Sequence, residues 1–195
     1  MKSYKEYVRE FYKVYYKDGD DAHLIDHADA VCDLSLKINS NCDEKLIILA
    51  SYMHDMFNAT NRSLHNELAY EYVLKRDDRF LKELSDKELL MVAHATLEHR
   101  AKFKGKFYSK LSEIISAADR GLPDLNIIVI RSMKFNNANA QDVYTHIKEK
   151  YSSSGYAKYP KIYKDIFKKE LQQFKKDADT LSVKDIETIW QHRSC

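Results

Sequence analysis

The sequence predicts an all-α fold, a helical bundle with additional C-terminal helices, on three observations. Gly and Pro together make up only 6 of the 195 residues, which disfavours turn-rich all-β folds. Apolar residues recur at helical spacing along most of the chain, and short polar breaks separate the segments that carry this pattern. The length suits one domain that buries roughly 70 % of its unfolded surface. We therefore expect a single domain over residues 1–195.

The predicted helices follow in order from the N-terminus. The first is predicted from Ser3 to Tyr16, and the second begins near Asp21 or Ala22 and continues to about Ile38. The later helices are predicted at about residues 44–57, 63–75, 86–100, 110–120, 124–135, 139–151, 160–176 and 182–191. Gly121 is predicted to stop the sixth helix, since glycine commonly follows the last helical residue.

Composition excludes several classes of protein. No apolar run approaches the ~20 residues of a membrane span, and the N-terminus lacks the apolar core of a secretory signal. The three cysteines are an odd set without CxxC spacing, which argues against a disulfide framework and against a cysteine zinc site. These features favour a reduced, cytosolic domain.

Charge is unevenly distributed along the chain. Residues 1–99 carry 13 Lys and Arg against 19 Asp and Glu, a net charge of −6, whereas residues 100–195 carry 19 against 11, a net charge of +8. An acidic half can hold cations and a basic half can face an anionic substrate. Chance variation among solvated helical surfaces can give the same uneven distribution, so specific residues must decide whether it reflects function.

The segment that ends in His54 and Asp55 is the most informative. It is almost entirely apolar, so the helix is expected to be buried on most sides. A buried carboxylate without a partner is costly. A divalent cation offsets that cost because it accepts both carboxylate oxygen and neutral imidazole nitrogen as ligands. A hydrogen-bonded His–Asp pair with a structural role is the alternative at this point.

Two further helices carry polar residues on apolar faces. His27 lies in the apolar stripe of the second helix, and Asp119 ends an apolar helix face just before Arg120. An aspartate at a helix C-terminus is unfavourable against the helix dipole unless a positive charge meets it. Together with His54 and Asp55, these residues offer two imidazoles and two carboxylates, which suit one divalent metal ion with positions left for water.

The order His27, His54–Asp55, Asp119 resembles the H…HD…D signature of the HD-domain superfamily of metal-dependent phosphohydrolases. The resemblance covers about residues 20–125 and implies an HD-type helical core, followed by a C-terminal helical extension over about residues 126–195. It implies a divalent metal cofactor (Mn, Mg, Co, Ni or Fe). The implied substrate is a small phosphorylated compound such as a nucleotide, and the oligomeric state stays open, a homo-oligomer included.

Some HD proteins carry two further histidines and bind two metal ions bridged by the HD aspartate. His65 and His99 match that longer pattern, with Asp55 as the bridge, and we expect two ions. In one-metal members such histidines contact substrate phosphate instead. One departure concerns Asn58, because some nucleotidases of this superfamily have an acidic proton donor or acceptor three positions after the HD aspartate.

Phosphate hydrolysis also needs cations that neutralise the phosphoryl oxygens. The basic segment Arg100–Lys106 follows His99 directly, and within it Arg100 is the strongest candidate, followed by Lys102. Arg62 and Arg131 are further candidates for substrate binding. The expected catalytic residues are Asp55, His99 and Arg100. His146 and His192 lie in polar surroundings and are predicted to be surface residues.

Three other functions compete with hydrolysis. The same ligand set serves HD-type di-iron oxygenases, which iron analysis would identify. A non-catalytic nucleotide-binding module is disfavoured because the ligand set is complete. A nucleic-acid binder would use the tyrosines that alternate with lysines in the C-terminal half, but tyrosines at helical spacing more often pack against their own domain.

Overall fold

The computed structural model describes residues 2–18, 24–39 and 41–192. Within these ranges it contains twelve α-helices and no strand, which confirms the all-α prediction. The helices are α1 (Tyr4–Tyr12), α2 (Ile25–Lys37), α3 (Glu44–Met53), α4 (His65–Lys75), α5 (Arg79–Lys82), α6 (Asp86–Glu98), α7 (Lys110–Asp119), α8 (Leu125–Phe135), α9 (Ala140–Tyr151), α10 (Lys161–Ile166), α11 (Lys168–Thr180) and α12 (Val183–Gln191).

The N-terminal helix follows its predicted span, with a change of geometry inside it. Ser3 caps α1 through a capping box with Glu6, and the chain continues beyond α1 as a 3₁₀ helix over Lys13–Tyr16. The predicted start of the second helix near Asp21 lies outside the described residues, and the described part of that helix begins at Ile25.

Two predicted helices have different boundaries in the structure. The helix predicted over 44–57 ends at Met53, and the chain continues in turns from His54, whose ring donates to the Ser51 carbonyl. The helix predicted over 160–176 is divided at Phe167, which has non-helical backbone angles, and its second part extends to Thr180. The short helix α5 was not predicted.

Two apolar clusters form the core, and α7 belongs to both. Leu111 and Ile115 pack into the cluster built from the N-terminal helices, whereas Ile114, Ala117 and Ala118 pack into the cluster built from the C-terminal helices. Because α7 ends at Asp119, this residue lies where the two clusters meet.

Two of the three cysteines lie among the described residues. Cys32 and Cys42 are free, and Cys195 lies outside the described residues. In the part of the chain that the structure describes, no helix combines the length and hydrophobicity that crossing a membrane requires.

Gly121 ends α7 in the left-handed backbone region, with φ of +68°. A Cβ atom added at this position meets no heavy atom within 4 Å, so backbone conformation alone disfavours other residues. We expect Gly121→Ala to lower the free energy of unfolding by about 1 kcal/mol, and Gly121→Asn to cost less because asparagine tolerates this region. Urea denaturation of both variants measures the difference, and equal costs would contradict this explanation.

Candidate metal centre

His54 and Asp55 lie in the turn that follows α3. All residues of α3 from Leu46 to Met53 are buried, so this helix carries the chain through the interior. His54 is fully buried and Asp55 is 4 % exposed. The two side chains therefore enter the protein interior at the point where the backbone leaves the helix.

The first group of candidate ligands joins three separate helical segments. It consists of His27 in α2, His54 and Asp55 after α3, and Asp119 at the end of α7, with one potential ligand atom from each residue within 4.8 Å of the others. His27 Nε2 lies 3.2 Å from Asp119 Oδ1, and His54 Nε2 lies 3.4 Å from Asp55 Oδ2. The four residues that the sequence singled out thus meet at one point.

The second group contains Asp55, His65 and His99. His65 Nε2 lies 3.0 Å and His99 Nε2 lies 3.4 Å from Asp55 Oδ1. Asp55 therefore directs Oδ2 toward the first group and Oδ1 toward the second. A carboxylate that faces two ligand groups with different oxygens has the arrangement of a bridge between two ions.

Three of the imidazoles are oriented by the same backbone contact. His54 Nδ1 donates to the Ser51 carbonyl at 2.7 Å, and His65 Nδ1 donates to the Arg62 carbonyl at 2.8 Å. His99 Nδ1 makes the equivalent bond to the carbonyl of the residue three positions earlier, at 2.6 Å. Because a carbonyl only accepts, each Nδ1 carries a proton, and the Nε2 of a neutral ring presents its lone pair to the cluster.

The electrostatics of the cluster call for positive charge. Burial raises the pKa of Asp55 and Asp119, but the surrounding imidazoles outweigh it and hold both pKa values well below the usual range. Burial lowers the pKa of His54, yet Asp55 and Asp119 raise it to about 10. Burial also lowers the pKa of His99, which favours its neutral form. Without a cation, a proton on His54 provides positive charge beside the two carboxylates. A bound divalent cation would provide this charge instead.

The donor set fits a divalent metal ion. His65 Nε2 and His99 Nε2 face each other at 3.1 Å, and His27 Nε2 and His54 Nε2 face each other at 3.4 Å. Neutral imidazoles with lone pairs directed at each other repel unless a proton or a cation lies between them. Mixed imidazole and carboxylate ligands suit Mn, Fe, Co, Ni or Zn.

Four of the six candidate ligands line a cavity of about 310 Å³: Asp55, His65, His99 and Asp119. All four residues predicted to bind substrate phosphate line this cavity: Arg62, Arg100, Lys102 and Arg131. Asn58, the residue that departs from the nucleotidase pattern, is buried and also lines it. The structure thus brings the candidate metal ligands and the candidate phosphate ligands into one space.

The basic segment after His99 is divided between two cavities. Arg100 and Lys102 line the cavity at the metal cluster, whereas Lys104 and Lys106 line a second cavity. Arg100 Nη1 donates to the Ser63 carbonyl at 2.6 Å, which fixes its guanidinium beside the turn that leads into α4. Of the four cations in this segment, two are therefore placed to contact a substrate at the cluster.

Arg120 connects the cluster to the C-terminal part of the chain. This residue is buried, and burial lowers its pKa. Its Nη1 donates to the His99 carbonyl at 2.8 Å and lies 3.3 Å from Asp119 Oδ2, and its Nε donates to the Lys158 carbonyl at 3.0 Å. The side chain thus holds two candidate ligands and a distant segment together.

Sequence reasoning named Arg131 of α8 but missed the other residues of α8 and the contribution of α9 and the following loop to the cavity. His146 was predicted to be a surface residue, but it is half-buried and lines the cavity. Phe135, Lys150, Tyr151 and Tyr156 line it as well. The spacing of His146 and Lys150 places them on one helix face. Only the packing of α9 against other helices determines that this face points to the cluster.

Comparison with known proteins gives one match. A family model described as the HD domain matches residues 21–124, which is more than half of the chain. No curated protein and no solved structure matches. All six candidate ligands lie inside the matched segment, whereas Arg131, His146 and Lys150 lie beyond it.

Proposed function

Because the chain belongs to the HD-domain family of metal-dependent phosphohydrolases, we propose that it hydrolyses a phosphoester or phosphoanhydride bond of a nucleotide or a similar small phosphate compound. The observation that carries this proposal is the pair of ligand groups that share Asp55 in the wall of a cavity lined by arginine and lysine. Cations beside a metal cluster match the charge of a phosphate substrate.

Two ions are proposed, one at each ligand group. His27, His54, Asp55 and Asp119 would hold the first, and Asp55, His65 and His99 would hold the second. When bound, divalent ions supply an acidified water molecule, with a pKa of about 7, and neutralise phosphoryl oxygens.

The residues of the chain orient the substrate and compensate its charge. The guanidinium of Arg100, held by the Ser63 carbonyl and by Asn66 Oδ1, is positioned before substrate arrives, so its charge can meet the developing negative charge of the transition state without reorganisation. Lys102 lines the same wall. Asn58 can hydrogen-bond a phosphoryl oxygen, but its amide cannot serve as the proton donor or acceptor that an acidic residue would provide.

A di-iron oxygenase is the second candidate, because the complete set of four histidines and two aspartates also suits two iron ions. Hydrolysis is favoured by the six lysine and arginine residues that line the cavity. Iron analysis, with a search for a mixed-valence spectrum and for oxygen consumption, distinguishes the two. A non-catalytic nucleotide-binding module would bind nucleotide without turnover of any kind.

The proposal is tested by a screen of Mn²⁺, Co²⁺, Mg²⁺, Fe²⁺ and Ni²⁺ against nucleotides and simple phosphoesters. We expect release of phosphate or of a phosphorylated product that depends on the metal, is inhibited by chelator and is lost in Asp55→Ala. Turnover that Asp55→Ala retains would overturn the proposed mechanism.

A further inference from the structure

One face of α8 forms a wall of the cavity, although the helix contains no candidate metal ligand. Ile128, Arg131, Ser132 and Phe135 all line the cavity, and their spacing of three and four residues places them on one side of the helix. This helix lies beyond residues 21–124, the segment that matches the family. It therefore adds a surface that the family match does not account for.

Cations from three segments meet along this wall. Arg131 comes from α8, Lys150 comes from α9, and Arg62 comes from the turn before α4, where its guanidinium carbon lies 4.4 Å from the centroid of the Phe135 ring. We call Arg62, Arg131 and Lys150 the outer cation cluster. Its members are separated by up to 88 positions in sequence, so only the folded chain brings them into one cavity.

The pKa of His146 reflects the electrostatic potential beside the outer cation cluster. It lies one turn before Lys150 on α9 and lines the cavity. Burial, followed by the charges of Lys150 and Arg62, lowers the pKa of His146 to about 4. Both charged groups that shift this pKa are cations, so an anion would be attracted here, and the neutral imidazole could hydrogen-bond it.

The cations that line the cavity lie in two groups. Among the described residues that line it, six are Lys or Arg and two are aspartates, and both aspartates belong to the metal ligand groups. Arg120 directs its donors to carbonyls and to other protein side chains, and Arg100 and Lys102 follow the candidate ligand His99 within three positions of the sequence. The outer cation cluster, contributed by α8, α9 and the turn before α4, is a second group of cations that line the same cavity.

We propose that the substrate carries at least two phosphate groups, of which one is hydrolysed at the histidine–aspartate cluster and another binds to Arg62, Arg131 and Lys150. This inference rests on the proposed function, and it narrows the substrate class to compounds with a diphosphate chain or with two separate phosphates. His146 contacts the second phosphate, and the exposed ring of Phe135 borders it. Arg131 and Lys150 of the C-terminal helices, together with Arg62, thereby select the substrate, while all six candidate metal ligands lie within residues 21–124.

Binding of pyrophosphate to the full-length, metal-free protein tests the inference without any need for turnover. In isothermal titration calorimetry at constant ionic strength, we expect wild-type protein to bind pyrophosphate. The double variant Arg131→Gln/Lys150→Gln should bind it at least about tenfold more weakly, since it loses two charge-assisted hydrogen bonds to phosphate.

Two matched variants show whether weaker binding comes from loss of a specific site, from the lower net charge of the protein or from damage to the fold. Lys134→Gln/Lys164→Gln removes the same charge from exposed positions that do not line the cavity and should bind as wild type does. Arg131→Lys/Lys150→Arg keeps the charge and should retain most of the affinity. Unchanged affinity in the glutamine variant, an equal loss in the exposed pair, or no binding by wild type would each overturn the inference.

The outcome is distinguishable from failure of the proposed function. If the protein binds pyrophosphate through the outer cation cluster but hydrolyses no phosphate compound with any metal, the second phosphate site is supported and the proposed hydrolase function is contradicted. If it hydrolyses monophosphates and bisphosphates, the ratio of their kcat/KM values should favour the bisphosphate in wild type. That preference should fall at least about tenfold in Arg131→Gln/Lys150→Gln, and equal ratios in the two proteins would contradict the site.

Discussion

Replacing Asp55 by asparagine should remove both metal ions and lower turnover by at least about 10³-fold, more than the 10²–10³-fold that loss of a single transition-state donor costs. The reason is the position of its carboxylate, which directs Oδ2 toward His27 and His54 and Oδ1 toward His65 and His99. Asparagine keeps the shape but removes the charge and replaces one oxygen by an amide nitrogen that cannot bind a cation.

The two ligand groups can be separated by comparing this variant with His65→Gln. Because His65 belongs to the second group alone, His65→Gln should lose one ion and keep the other, whereas Asp55→Asn should lose both. Metal content per chain, measured by mass spectrometry after dialysis, gives the count directly. Asp33→Asn removes an exposed carboxylate from α2 and should leave metal content unchanged.

The same comparison has a result that would contradict the bridge. If Asp55→Asn retains one ion, or if His65→Gln loses both, the two groups do not share this carboxylate as the distances indicate. If wild-type protein binds a single ion and His65→Gln keeps it, His65 and His99 instead contact substrate phosphate, the alternative that the sequence left open. Circular dichroism of each variant shows whether the helices are retained.

Replacing Arg120 by methionine should lower the free energy of unfolding by about 3–5 kcal/mol, the cost of breaking a buried ionic and hydrogen-bonded network. The guanidinium donates to the carbonyls of His99 and Lys158 and to Ser116 Oγ, and it lies against Asp119. Methionine fills similar volume but leaves these acceptors without their donors inside the protein. At roughly 2–4 °C per kcal/mol for a chain of this length, Tm should fall by roughly 6–20 °C.

A matched substitution tests whether the loss is specific to this network. Arg79→Met removes an exposed arginine whose guanidinium lies over the rings of Phe11 and Phe80, and it should cost no more than about 1 kcal/mol. Thermal denaturation of both variants without metal measures the difference. An Arg120→Met variant as stable as Arg79→Met would show that the carbonyls of His99 and Lys158 find other donors.

The fold class could be predicted from helical periodicity. The first ligand group could be predicted because each of its four residues was anomalous in its own local setting, whereas His65 and His99 were assigned only through the resemblance to the HD-domain superfamily. His27 interrupts an apolar stripe, His54 and Asp55 end an apolar run, and Asp119 opposes a helix dipole. Such signals need no knowledge of tertiary structure. The assembly of these residues into one cluster then follows from the cost of leaving them apart in the interior.

What could not be predicted depends on contacts between distant segments. The end of α3 at Met53, where the His54 ring bonds to the Ser51 carbonyl, is not revealed by periodicity. The half-buried position of His146 depends on which face of α9 meets the rest of the chain. The separation of Lys102 from Lys104 into different cavities depends on the path of an irregular loop. None of these has a local signature in the sequence.

The carbonyl bonds that hold the rings of His54, His65 and His99 have a consequence for how the protein acquires its metal. Because the rings are already fixed, binding of an ion restricts few additional side-chain torsions and costs little conformational entropy. The fixed rings then contribute almost the same binding free energy for ions of similar size. The order of affinity therefore follows the intrinsic ranking of first-row divalent metals, with Mn²⁺ weakest and Cu²⁺ strongest. The metal recovered with the purified protein should therefore follow the growth medium, and exchange by dialysis should proceed without unfolding.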